Sequence, residues 1–435
     1  MTPGARLQAA IELLSLIDAA GAPPADAVLR QWYKARRYAG SGDRAAISGA
    51  VYDVVRRRAQ LDWWLARSDT APVPRTRVLA QSLLIAGWDA EAVAAAFDGG
   101  QYRPAPLDET DQSLVAALAG QSLDHPDQPP AVQGNVPDWL YDRLAEAYGE
   151  ATDDELRALL AEAPMDLRVN TLMTDVAAAA AALAEAGVET VPGRFLPTTL
   201  RVGRRFPLDQ TRPYRDGWVE VQDEGSQLIA ALADARPGMT VADFCAGAGG
   251  KTLAMAAHME NRGRLFACDV AEDRLKRSGG RIRRAGADII ERQVLKPAPD
   301  PWVAENAGAF DRVLVDAPCS GLGALRRNPE RKWRVTPAEV ADLTQTQDGI
   351  LDEAAGLVAS GGRLIYATCA PLVEENERRI EAFLARNDRF RLRPIGEVWS
   401  DVVGPDGPTS APALRLSPAG QGTDGFFCAV LERIG

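Results

Sequence analysis

At 435 residues, with 46% hydrophobic and 25% charged side chains, the chain has the composition of an ordinary globular protein and room for two or three domains. A formal charge of −11 excludes a uniformly basic surface, so any nucleic-acid contact has to come from local basic patches. Two histidines and five cysteines without short spacings exclude histidine triads, zinc clusters and a disulfide framework, and no apolar run approaches the roughly 18–20 residues of a membrane span.

In chain order, residues 1 to about 118 read as helical. Arg6–Ala19 places Leu7, Ala10, Ile11, Leu14 and Ile17 on one face. Ala45–Leu65 does the same with Ile47, Val51, Val54, Val55, Leu61 and Leu65, while Pro23-Pro24 and Pro72–Pro74 break the segments. Residues 1–120 are therefore expected to form an all-α bundle. Gln121–Val136, rich in Pro, Asp, Gln and Gly, reads as a linker.

Helices over Asp138–Tyr148 and Asp153–Glu162 follow. A strand at Leu167–Asn170, a helix at Asp175–Ala186 and strands at Val188–Thr190 and Thr199–Val202 make residues 137–215 a small α+β domain. From residue 216 to 435 helices alternate with apolar strands. The helices are Gly225–Ala235 and Leu253–Met259; the strands are Thr240–Phe244, Gly263–Asp269, Phe310–Asp316 and Gly362–Thr368. That alternation implies an α/β domain with a doubly wound, mostly parallel sheet, whose ligands bind past the C-terminal strand ends.

The residues past those strand ends carry the chemistry. The first strand runs into Asp243-Phe-Cys-Ala-Gly-Ala-Gly-Gly-Lys-Thr252. Three readings of this glycine loop compete with a plain structural turn: a P-loop, lacking its first glycine because Cys245 stands there; a dinucleotide fingerprint, poorly fitted at Thr252; and an adenosylmethionine loop. Asp269 ends the next strand, where an acid hydrogen-bonds a ribose diol, although it could equally cap the following helix. Asp316-Ala-Pro-Cys319 and Tyr366-Ala-Thr-Cys369 place two thiols on the same edge. A lone cysteine is more often a small buried hydrophobe, as expected of Cys245, Cys268 and Cys428. Two thiols and Asp316 beside a cofactor loop suit methylation at carbon 5 of a pyrimidine: a thiolate adds to carbon 6, an acid stabilises the adduct, and a second thiol assists release.

At these motifs the sequence resembles the Nol/Nop/Sun family of RNA cytosine-5 methyltransferases, in particular its bacterial Sun (RsmB-type) 16S rRNA branch. Further matching pieces are Gln222-Asp-Glu-Gly-Ser-Gln227, Arg326–Trp333, Glu374-Glu375-Asn376 and Thr423-Asp-Gly-Phe-Phe427. The likeness covers about residues 137–435 well and the N-terminal bundle more weakly. It implies a Rossmann-like class I methyltransferase domain, preceded by a small α+β (RRM-like) domain and an N-terminal NusB-like RNA-binding bundle. It further implies S-adenosylmethionine as cofactor, held by Cys245, Ala246, Gly247, Ala248, Gly249, Gly250, Lys251, Asp269, Arg274 and Asp316. Cys369 becomes the nucleophile, Cys319 the thiol that assists release, and RNA, rRNA first, the partner of a monomeric cytoplasmic enzyme without metal or membrane attachment.

The loop departs from the family's Cys-Ala-Ala-Pro-Gly-Gly-Lys-Thr at Gly247-Ala248. The third-strand acid is missing at Val294, leaving Glu291 or Gln293 as substitutes. Three basic segments are candidate RNA surfaces: Lys34–Tyr38 and Arg56–Arg58, each weighed against a solvated helix face, and Arg326–Arg334, better placed because it closely follows Cys319. The alternatives are an RNA-binding assembly protein on a degenerate methyltransferase fold, the same chemistry on tRNA, and, more distantly, a P-loop ATPase.

Overall fold

The computed structural model describes residues 1–203, 206–405, 407 and 411–435. The chain forms two compact units. One comprises Met1–Ala161 with Leu325–Val335; the other comprises Glu162–Ala324 with Thr336–Gly435.

The first unit is helical. Helices Pro3–Ile17, Ala25–Ala35, Ser41–Arg56, Arg58–Arg67, Pro74–Leu84, Ala90–Ala96 and Glu109–Leu118 enclose one core containing Leu13, Ile47, Val51, Leu61, Leu65, Leu79 and Leu118. The helix expected over Ala45–Leu65 is two, broken at Arg57 (φ −110°, ψ 24°). All six of its apolar markers are buried. Their spacing runs through the break, so periodicity alone could not reveal it.

The expected linker is docked rather than free. Trp64 Nε1 donates to the Leu123 carbonyl at 3.0 Å, and Gln60 Nε2 to Asp124 Oδ1 at 2.7 Å. Asn135 Nδ2 donates to Gln60 Oε1 at 2.8 Å. Helices Asp138–Tyr148 and Thr152–Leu159 also group with this unit, although the sequence reading assigns them to the α+β domain.

Leu325–Val335 is the part of this unit furthest away in sequence, and its charges cap helix ends. Lys332 Nζ and Trp333 Nε1 donate to the carbonyls of Arg56 and Val55, both at 2.8 Å, in the last turn of Ser41–Arg56. Arg334 Nη2 donates to the carbonyl of Ile17 at 2.9 Å, and Glu330 Oε1 accepts from Ala25 N at 3.0 Å. Arg334 thus brings a cation to a carbonyl end and Glu330 an anion to an amide end, the sense the unpaired helix termini and macrodipole favour, while burial, with Arg56 and Arg57 nearby, lowers the Lys332 pKa well below its ordinary value. This corrects part of the reading of Arg326–Arg334 as an RNA surface: Arg326 and Lys332 are buried and Arg334 is taken up by helix carbonyls, while Arg327 and Arg331 are half-buried. Arg56 is buried as well, and Arg58 pairs with Asp18 at 3.2 Å. Of the three basic segments, Lys34–Tyr38 leaves Lys34, Arg37 and Tyr38 exposed.

The second unit begins with four strands, β1 (Met165–Val169), β2 (Thr190–Pro192), β3 (Thr199–Val202) and β4 (Val219–Val221), in the order β2-β3-β1-β4, all antiparallel. Helix Val176–Glu185 packs on them through Ala179 and Leu183. The second strand starts later than expected because Val188 N bonds the Leu183 carbonyl at 2.9 Å and closes that helix.

The large sheet contains β5 (Thr240–Asp243), β6 (Arg264–Asp269), β7 (Ile290–Val294), β8 (Phe310–Asp316), β9 (Val358–Thr368), β10 (Phe390–Arg393), β11 (Leu414–Leu416) and β12 (Phe426–Arg433). Its order is β10-β12-β9-β8-β5-β6-β7, with β11 on β12. Strands β5 to β9 pair in parallel and β12 runs antiparallel to β9. Fully buried Val241, Leu314 and Ile365 on one face and Ala242, Val315 and Tyr366 on the other show helices covering both sides, as a parallel sheet requires. Strand order reverses at β5, between β8 and β6, which opens a crevice at the C-terminal ends. The small sheet is fastened to this domain at Gly217 (φ +77°). A Cβ there would lie 1.9 Å from the Arg284 carbonyl oxygen, and Asn170 Nδ2 bonds the carbonyls of Gly217 and Ala285, each at 2.9 Å.

Candidate active site

The crevice is a cleft of about 890 Å³, within the range of small-molecule sites. The loop after β5 forms its floor. Gly247 (φ +55°) and Gly249 (φ +82°) turn the chain into helix Gly250–His258. Cys245, Ala246, Gly247, Ala248, Gly250 and Lys251 line the cleft; Gly249 does not, and serves the turn. Asp269, ending β6, accepts from Gly247 N at 2.8 Å and Ala271 N at 2.7 Å. It therefore braces the glycine loop and the next turn while still lining the cleft, and Arg274 lines it one turn further on.

Under the loop, Asp243 is almost fully buried and accepts from Thr252 Oγ1 at 2.6 Å. Burial pushes its carboxyl up to about 7, against the hydrogen bond from Thr252. Lys251 Nζ reaches Asp316 Oδ2 at 2.5 Å. Burial alone would lower the lysine's pKa, but the charge and hydrogen bond of Asp316 outweigh it and leave the pKa raised.

The two strand-end cysteines meet. Cys319 Sγ and Cys369 Sγ lie 3.4 Å apart, and both line the cleft with Asp316. The hydrogen bond to Cys369, followed by burial, pushes the Cys319 thiol well above its ordinary value. Two backbone ties fix the separation: Gly323 N donates to the Cys369 carbonyl and Gly425 N to the Gly323 carbonyl, both at 2.9 Å. A Cβ on Gly323 would come within 2.0 Å of the Gly425 carbonyl oxygen, so only glycine fits there. Cys268 and Cys428 are fully buried with thiols raised by desolvation, as inert hydrophobes; Cys245 is raised by the same cause but borders the cleft.

Several site residues escaped the sequence reading. Glu375, fully buried, accepts from Ser320 N at 2.8 Å and Ser320 Oγ at 2.6 Å, and Gln347 Nε2 ties it to the Pro318 carbonyl. The Pro-Cys turn is thus held from behind by a carboxylate 55 residues away, signalled in sequence only by the Glu374-Glu375-Asn376 motif. Gln222, Asp223, Arg281 and Lys296 also line the cleft. Neither proposed substitute for the third-strand acid does: Glu291 pairs with Arg264 at 3.2 Å and Gln293 turns back to the Val294 carbonyl. Leu295, Lys296 and Ala298 form that wall instead.

Among the described residues no cluster suited to a metal ion is found, and no helix is long and apolar enough to cross a membrane.

The family model described as "16S rRNA methyltransferase RsmB/F" matches residues 230–432, and that of the RsmF/B-like ferredoxin-like domain matches residues 136–209. The chain is 36% identical over 306 residues to the probable ribosomal RNA small subunit methyltransferase B of Synechocystis sp., covering 69% of this chain and 67% of that protein. It is 34% identical over 295 residues to the ribosomal RNA small subunit methyltransferase B of Escherichia coli O6:K15:H31, covering 68% and 66%. The crystal structure of PH0851 superposes with a TM-score of 0.79 at 26% identity, covering 100% of this chain and 99% of that one. The chain therefore belongs to the RsmB/F family of 16S rRNA methyltransferases, enzymes that use S-adenosylmethionine.

Proposed function

We propose that the protein methylates carbon 5 of a cytosine in small-subunit rRNA, with Cys369 as nucleophile and Cys319 as the thiol that helps release the product. The observation that carries this reading is the 3.4 Å approach of the two sulfurs in the same cleft as Asp316 and the glycine loop.

The cleft fits the cofactor. The positive-φ turn at Gly247 and Gly249 leads into a helix N-terminus with no side-chain cap, beside the Asp269 carboxylate. Cys245–Ala248, Gly250, Lys251, Asp269 and Arg274 would hold it, with Leu295 and Ala298 as an apolar wall. The bound cofactor supplies an electrophilic methyl group.

The chain's own residues do the rest. Cys369 gives up its thiol proton, which passes by way of Asp316 to N3 of the cytosine, and the thiolate forms a bond to carbon 6 while the displaced π electrons make carbon 5 nucleophilic. Asp316, held by Lys251, accepts hydrogen bonds from the exocyclic amine and protonated N3 of the adduct. In the resting site the hydrogen bond to Cys369 is the largest influence keeping the proton on Cys319. Once the Cys369 sulfur is bonded to carbon that hydrogen bond is gone; Cys319 gives its proton to solvent, and its thiolate takes the carbon 5 proton. The Cys369–carbon 6 bond then breaks, its electron pair returning to sulfur as the 5,6 double bond re-forms.

The test is Cys319→Ala incubated with unmodified RNA and adenosylmethionine on a denaturing gel. The expected result is a slow-migrating protein–RNA band that disappears when Cys369→Ala is added. A band with Cys369→Ala alone would reverse the two roles. No band from either variant, with no methyl transfer by the native protein to rRNA or tRNA, would favour the degenerate-scaffold reading.

A further inference from the structure

Helix Glu272–Ala285 borders the cofactor cleft and has a composition at odds with the rest of the chain. In a protein of net charge −11 it carries Arg274, Lys276, Arg277, Arg281, Arg283 and Arg284 against two acids, Glu272 and Asp273. Leu275, Ser278, Gly279 and Ala285 form its buried face, so the cations fall on the outer side. Three are anchored: Lys276 to Glu272 at 3.0 Å, and Arg281 and Arg284 both to Glu220 on β4. Arg281 also donates to the Ala248 carbonyl of the glycine loop at 2.8 Å, which couples the helix to the cleft floor.

Arg274, Arg277 and Arg283 are exposed, and among the described residues their side chains meet no carboxylate. A merely solvated helix face in an acidic protein would be laced with Glu–Lys and Glu–Arg pairs at i,i+4 spacing. A second observation points the same way. Gly280 is exposed in the middle of this helix, and a Cβ built there meets nothing within 4 Å. The fold does not require glycine, which costs a helix interior about 1 kcal/mol relative to alanine. It leaves a bare patch of backbone between Arg277, Arg281, Arg283 and Arg284 where a polyanion can approach closely.

We infer that the outer face of Glu272–Ala285 is a phosphate-binding track for the RNA strand whose base enters the cleft. The track rests on the methyltransferase reading above and names a surface outside the three basic segments found in the sequence. Arg274 and Arg281 line the cleft itself, so the unanchored cations continue outward from its rim.

The experiment measures binding of the full-length protein to an unmodified small-subunit rRNA transcript over a range of salt. For Arg277→Ala/Arg283→Ala the expected slope of log affinity against log salt is shallower by about 1.4, at about 0.7 for each single-strand phosphate no longer neutralised. Adenosylmethionine affinity should stay within about twofold, and returning lysine at positions 277 and 283 should restore the slope, because a point charge suffices for counterion release. Gly280→Leu should raise thermal stability yet weaken RNA binding without changing the slope. An unchanged slope and affinity in the double variant, beside a wild type that methylates its transcript, would overturn the track alone. A wild type that neither binds nor methylates RNA would overturn the track together with the proposed function.

Discussion

Cys319 Sγ sits 3.4 Å from Cys369 Sγ, the product of two loops whose strands β8 and β9 are paired neighbours. A disulfide needs these sulfurs to close to about 2.05 Å with a Cβ–S–S–Cβ dihedral near about ±90°. A peroxide that oxidises one thiol to a sulfenic acid should therefore let the other displace water and form a Cys319–Cys369 bond. We expect loss of two titratable thiols and of methyl transfer, both restored by a dithiol. Cys319→Ser, assayed by thiol titration and mass, should form no such bridge.

Lys251 holds Asp316 at 2.5 Å from the first turn of helix Gly250–His258. Lys251→Met should leave the fold intact but release the carboxylate, lowering kcat by about a hundredfold, at the lower end of what positioned acid–base groups contribute. Cofactor affinity, read by calorimetry, should fall as well, since Lys251 is one of the residues that would hold the cofactor, and kcat is therefore compared at saturating cofactor. A variant that loses cofactor binding and keeps its turnover would place the lysine's role elsewhere.

Glu375 positions rather than reacts: it is fully buried and holds the Pro-Cys turn through Ser320 and Gln347. Glu375→Ala strands the buried Ser320 amide and hydroxyl, and urea melts should show a loss of about 3 kcal/mol. Glu375→Gln keeps an acceptor and should recover part of that stability, with kcat tracking the recovery while cofactor affinity stays constant.

Asp243 gives a pH signature. Its folded-state pKa of about 7 lies above the unfolded carboxylate value, so between pH 4 and pH 7 the native state binds more protons than the unfolded chain. Its contribution to stability therefore falls as pH rises through that window and is flat outside it. Asp243→Asn should remove the decline, and the gap between variant and wild type should widen toward pH 7 by at most about 4 kcal/mol, for about three units at 1.36 kcal/mol each. A gap that stays constant between pH 4.5 and pH 7.5 would count against the raised value.

Much of the large sheet was legible because its strands are short apolar runs bounded by turn residues: β8 falls at the expected Phe310–Asp316, and in the small sheet β3 falls at Thr199–Val202. The site was legible for a related reason. In a doubly wound sheet everything past a strand's C-terminal end shares one edge, so Cys319, Cys369, Asp316 and Asp269 could be placed together without knowing a single contact. What could not be read was pairing across sequence. Nothing near Ser320 announces Glu375, and nothing in Gln121–Val136 announces Gln60. Lys332 and Arg334 looked available because composition does not record that helix carbonyls already occupy them.

That last segment limits how the protein can be divided. Leu325–Val335 leaves the catalytic domain six residues after Cys319, folds as part of the helical unit, and returns at Thr336. Cleaving after Ala161 would free a catalytic fragment still carrying Leu325, Lys332, Trp333 and Val335 without the helices that bury them, and a bundle with uncapped helix ends. The two halves are separable only by a second excision that bridges Ala324 to Thr336, so a one-cut truncation is a recipe for aggregation rather than for a minimal enzyme.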